Sequence, residues 1–150
     1  MTQQVDTEDI VALFETIRAA FPHLEMTVER YHRYLDVAMD IPEQPGLAFT
    51  VALSLQGNEL HLYAGEFRFE WFPCTRADIV SAYREAVHGL LSGSYRIVEH
   101  WRGSRAVKAQ LQRPVGVGWE TIFTTYKLDL LFWVPKTERA LRNDPQRAAE

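Results

Sequence analysis

Phe67-Arg68-Phe69-Glu70-Trp71-Phe72-Pro73-Cys74, then Thr75 through Leu91, then Ser92-Gly93-Ser94 and Tyr95-Arg96-Ile97-Val98, is the stretch whose reading decides the fold. Apolar residues recur at every second position up to Trp71, and at three- and four-residue steps from Ile79 to Leu91. The period therefore changes from that of a strand to that of a helix. Ile79, Tyr83, Ala86, Val87, Leu90 and Leu91 form one apolar stripe, with Arg84, Glu85 and His88 off it. Thr75 is placed to cap this helix, and Asp78 can reach back to the Thr75 amide while meeting the positive end of the helix dipole. Gly93 supplies the left-handed residue that ends many helices. The stretch reads strand, helix, turn, strand.

Upstream lies the clearest hairpin. Phe49, Val51, Leu53 and Leu55 alternate with polar or small residues, and Gly57-Asn58 suits a two-residue turn. That turn sets Leu55 opposite Leu60, Leu53 opposite Leu62 and Val51 opposite Ala64, so turn chemistry and apolar pattern demand one register. Ser54 with His61 and Ala52 with Tyr63 then share the other face. The apolar parity flips after Ala64, and either a bulge at Gly65 within one long strand, the favoured reading, or a turn there into a new strand is the expected cause. Nearer the N-terminus, Asp6 or Thr7 opens a helix with Ile10, Leu13, Phe14, Ile17 and Phe21 on one face, stopped by Pro22. His23 to Tyr34 fits strand or helix, with the strand favoured for its first half. Leu35, Val37, Met39 and Ile41 alternate as a strand.

Downstream, Gly103-Ser104 is expected to join Tyr95–Arg102 to Arg105–Gln112, with Glu99 opposite Lys108 and Val98 opposite Ala109. Trp119 to Val134 reads as a last long strand, whole or broken, ended by Pro135. Residues 136–150 read as a short helix or flexible tail.

The order helix, strands, helix, strands predicts a single α+β domain over residues 1–150. Its expected architecture is a twisted antiparallel sheet of about six strands with two main helices packed on one face (order α-β-β-β-α-β-β-β). At 150 residues the chain is long enough to bury a core without metals or disulfides. The formal charge of −4 points to no nucleic-acid or anionic-membrane partner. The single cysteine offers no disulfide framework, and Met1–Asp6 carries no apolar signal segment. Leu128–Val134, the most apolar run, is too short to span a bilayer as a helix. A cytoplasmic protein is expected.

Cys74, at a strand end before a helix, is the one candidate nucleophile, against the plainer reading of a small residue wedged under the helix start. It would need His61, His88 or His100 as a base. The histidines His23, His32, His61, His88 and His100 show no short metal-binding spacing, so no metal and no cofactor are expected. Arg96, Arg102, Arg105, Lys108 and Arg113 fall close together with His100 among them, and either form an anion site or a solvated hairpin. Aromatic residues make up 12% of the chain. Either all serve the core, or Trp71, Phe72, Tyr95, Trp101, Trp119 and Trp133 form a half-exposed patch of the kind found at dimer interfaces and ligand grooves.

Glu70-Trp71-Phe72-Pro73-Cys74, with the helix and Tyr95-Arg96-Ile97-Val98-Glu99, resembles a pattern in uncharacterised bacterial proteins and implies no activity. The coarse topology is also similar to small secretion chaperones and immunity proteins, a likeness of fold alone. The functional expectation is a non-enzymatic binding protein, a homodimer using an aromatic sheet face that includes Trp71, Tyr95 and Trp101. The alternatives are an enzyme or anion receptor built on Arg96, His100 and Arg102, with Arg105 nearby, and an immunity- or chaperone-like binder of another protein.

Overall fold

The computed structural model describes residues 3–31 and 34–144. In chain order the elements are α1 (Thr7–Ala20), β1 (Thr27–Arg30), β2 (Val37–Ile41), β3 (Val51–Gln56), β4 (Glu59–Ala64), β5 (Phe67–Trp71), α2 (Ala77–Ser92), β6 (Arg96–Arg102), β7 (Arg105–Val115), β8 (Gly118–Tyr126) and β9 (Lys136–Leu141). The class is α+β. The expected single sheet of about six strands is corrected to two antiparallel sheets, a meander β1-β2-β3-β4-β5 and a four-stranded sheet β8-β7-β6-β9.

The first sheet follows the apolar alternation closely. Leu55 pairs with Leu60, Leu53 with Leu62, Val51 with Ala64 and Ser54 with His61 across the Gly57-Asn58 turn. Gly65 does not bulge. It turns the chain at φ +55 with Glu66, and Ala64 pairs with Phe67. Two turn residues reverse the strand, so Phe67, Phe69 and Trp71 keep the face of Ala64, Leu62 and Leu60 despite their opposite parity in sequence. Of the ambiguous stretch 23–34, Thr27–Arg30 is strand, and residues 32 and 33 lie outside the described residues.

Asp6 caps α1 by accepting a hydrogen bond from the Glu8 amide at 3.0 Å. The cap expected at Thr75 is corrected. Arg76 holds that position without a side-chain cap, and its guanidinium binds Asp78 at 2.8 Å. Gly93 ends α2 in the left-handed conformation, as its position implies.

The second sheet departs most from expectation. Glu99 pairs with Ala109 and Val98 with Gln110, not with Lys108 and Ala109. The register shifts between His100 and Trp101, leaving Val107 as the extra residue on β7. Residues 127–135 are not strand but a crossover from β8, at one edge, to β9 at the other. Lys136–Leu141 is neither helix nor tail but the edge strand β9, whose exposed charged side chains carry no apolar alternation. Residues 145–150 lie outside the described residues.

One core joins the layers. Ile10, Leu13, Phe14 and Ile17 of α1 and Tyr83, Val87 and Leu90 of α2 cluster with Leu53, Leu62 and Phe67, and also with Ile97, Ala109 and Leu111. The helices thus cover one face of the first sheet, and the second sheet closes over α2 and β5. Trp71 sits at the junction, 5.2 Å from Tyr83 and 4.9 Å from Phe123 between ring centres. The Tyr83 hydroxyl donates to the His61 carbonyl at 2.8 Å. At the seam between the sheets, Thr125 Oγ1 donates to the Arg68 carbonyl and accepts from its amide.

Candidate functional site

A strand sends successive side chains to opposite sides. On β6 this sorts the candidates. Arg96, Val98, His100 and Arg102 face outward, while Ile97, Glu99 and Trp101 face the body of the protein. Arg96, His100 and Arg102 do share a face, but each is held by different neighbours. Arg96 Nε donates to Gln112 Oε1 at 2.9 Å, and its guanidinium lies 4.3 Å from the Trp119 ring centre. Arg142 stacks on the same ring at 5.2 Å. His100 Nε2 lies 3.0 Å from Gln110 Oε1, and Nδ1 3.6 Å from Glu138. Arg102 Nη1 donates to the carbonyls of Val134 at 2.6 Å and Phe132 at 3.3 Å, and Nε lies 2.8 Å from Asp129 Oδ1. Arg102 is therefore the clamp of the crossover.

The aromatic patch is also redistributed. Trp71 and Tyr95 are buried at 3% and 9% exposure, so neither belongs to a surface, because β5 and the entry to β6 both pack against α2. Tyr95 donates from its hydroxyl to Glu85 at 3.0 Å, and burial first, then Glu85, raises its pKa. Phe72 and Trp133 are exposed. The largest apolar exposure lies where a strand was expected: Tyr126, Leu128, Leu130, Phe132 and Trp133 are 55% to 78% exposed within eight residues of chain. Lys127 and Asp129, the charges among them, pair with Glu66 and Arg102.

Cys74 lies beneath the start of α2, buried, its amide donating to the Asn58 carbonyl at 2.9 Å. Burial raises the thiol pKa, the opposite of nucleophile activation. Among the described residues no histidine lines the groove between α1 and α2 above it. His61 and Ser54 pair on the far side of the first sheet. Both are buried, with His61 Nε2 3.3 Å from Glu59 and Nδ1 3.3 Å from the Tyr63 hydroxyl. Among the described residues no three His, Cys, Asp or Glu side chains gather closely enough to hold a metal ion.

The inward side of β6 faces a cleft of about 470 Å³ between the two sheets, walled by Tyr63, Glu66, Glu99, Trp101 and Arg139 among others. Trp101 and Glu66 also line a neighbouring hollow with Arg105 and Leu128, the start of the exposed crossover. Trp101 and Arg105 are among the site residues singled out from the sequence, whereas Glu99 is not. A carboxylate in the inward rhythm of Ile97 and Trp101 was the available signal, masked by a register that paired it with Lys108.

No family model, curated protein or solved structure matches this chain. Among the described residues no helix is long and apolar enough to cross a membrane.

Proposed function

We propose that this is a non-enzymatic, cytoplasmic interaction protein that forms a homodimer through the crossover between β8 and β9. The observation that carries the reading is the row Tyr126, Leu128, Leu130, Phe132 and Trp133, each more than half exposed. Side chains of this size expose on the order of 700 Å² together, close to the roughly 800 Å² per partner of a standard interface. A second copy fits this surface. An apolar patch is self-complementary about a two-fold axis. The local charges are already paired within the chain, so like-charge repulsion does not oppose self-association.

Sedimentation equilibrium tests this. The protein is expected to be dimeric at micromolar concentration, and Trp133→Glu or Phe132→Glu monomeric with unchanged circular dichroism. A parent protein that stays monomeric at high concentration rejects the proposal. A monomer that binds another protein through this surface would instead favour the chaperone- or immunity-like reading.

A further inference from the structure

We infer that the cleft between the two sheets binds a guanidinium group, carried either by a small guanidino compound or by an arginine of a peptide. The inference is independent of the dimer proposal.

Glu99 is the central observation. Its side chain is 2% exposed, yet it lines the cleft. Glu66 N donates to Oε2 at 2.6 Å and fixes the carboxylate. Among the described residues no donor reaches Oε1. Oε1 is not sealed inside the protein but opens into the cleft, where a donor from a ligand can reach it. The turn that delivers the Glu66 amide can approach this closely because residue 65 is glycine. A Cβ there would lie 2.8 Å from Glu99 Oε2 and 2.6 Å from Leu141 Cδ1.

The rest of the lining selects the cation. Glu43 adds a carboxylate, that of Glu66 being held by Lys127, and Tyr63 and Trp101 add aromatic walls. Among the described residues these carboxylates are not gathered as a metal chelate would require. A planar guanidinium can donate to the open carboxylate oxygen while stacking on an indole. The outward face of the same sheet shows that arrangement completed internally, with Arg96 and Arg142 both stacked on Trp119. Among the described residues no cation stacks on Trp101. Arg139, opposite Glu99 on β9, lines the cleft but makes no hydrogen bond or ion pair among the described residues. It is the resident cation with which an incoming guanidinium competes.

Isothermal titration of the full chain with agmatine, acetyl-Gly-Arg-Gly-amide and its citrulline counterpart tests the inference. Saturable binding of one or both guanidinium probes is expected, with the neutral citrulline peptide weaker by at least about tenfold. Tighter binding of the peptide assigns the ligand to an arginine side chain, and tighter binding of agmatine to a small compound. Glu99→Gln keeps an acceptor for the Glu66 amide and removes the charge, so affinity should fall at least about tenfold. Arg139→Gln, on the exposed edge strand, should bind several-fold tighter. Absence of saturable binding by both guanidinium probes, equal binding of citrulline, or an Arg139→Gln variant that binds no better overturns the inference, whether or not Glu99→Gln folds.

Discussion

Trp119 and Trp101 lie on opposite faces of the second sheet and meet charge in opposite ways. Around Trp119, Arg96 and Arg142 stack on the ring and Gln112 takes the Arg96 Nε proton, so cation, ring and acceptor already satisfy one another. Around Trp101 the neighbouring charge is the Glu99 carboxylate, with one oxygen bound to a backbone amide and the other without a donor among the described residues. A run of basic residues in sequence therefore says little about a site, because neighbours across a sheet can consume every one of them. What marks a candidate site here is a carboxylate fixed through one oxygen and open to a cleft through the other.

The largest expected effect tests how that inward face is set. Tyr95 leads into β6 and packs on Gly89 of α2, where a Cβ would lie 2.5 Å from Tyr95 Cδ2. Gly89→Ala should cost about 1–3 kcal/mol, read as a fall in Tm of about 2–4 °C per kcal/mol. Next comes the outward clamp. Arg102→Ala leaves the Phe132 and Val134 carbonyls without their donor and should cost about 1–2 kcal/mol. Faster hydrogen exchange should be confined to β9 and the crossover, and uniform acceleration would show that Arg102 does not act locally.

Arg96→Ala removes one stacked cation and one hydrogen bond, with about 0.5–1 kcal/mol expected by urea titration. A smaller effect comes from His88 of α2, on the layer beneath the inward face, where its ring lies 5.4 Å from Phe21. Burial, and then Arg84, lower its pKa below the ordinary histidine value. The folded state therefore binds fewer protons than the unfolded chain. Its contribution is complete above the ordinary histidine pKa and is lost as pH falls through the lowered value. The acid-side fall in Tm should be shallower in His88→Gln. Last, Glu99→Gln should not lower Tm at neutral pH, since the buried charge contributes nothing that an amide oxygen does not. A clear loss of stability there would erase the contrast between the two tryptophans and recast Glu99 as a structural latch.

Legibility in the sequence tracks how local the deciding interactions are. Gly57-Asn58 and the alternation on either side fixed every pairing of β3 with β4. Asp6 and the stripe Ile10, Leu13, Phe14 and Ile17 announced α1. Gly65 misled because a parity flip fits a bulge as well as a turn. Val107 was invisible, since neither the Gly103-Ser104 turn nor the apolar alternation marks the register shift it makes between β6 and β7. β9 was missed because an exposed edge strand has no apolar face to alternate. The candidate site fared unevenly. Arg96, His100 and Arg102 share a face of β6, but their neighbours Gln112, Gln110 and the crossover carbonyls come from distant segments.

Taken alone, the order of residues determined two amphipathic helices, antiparallel hairpins and the apolar set between them. These depend on periodicity and turn chemistry, which act over a few residues. The tertiary structure decided that there are two sheets, that β9 returns to β6, and that Glu99 faces an open cleft while Arg96 and Arg102 on the same strand are occupied. Those outcomes depend on which distant groups meet, and an incomplete hydrogen bond exists only once every possible partner has been given its place.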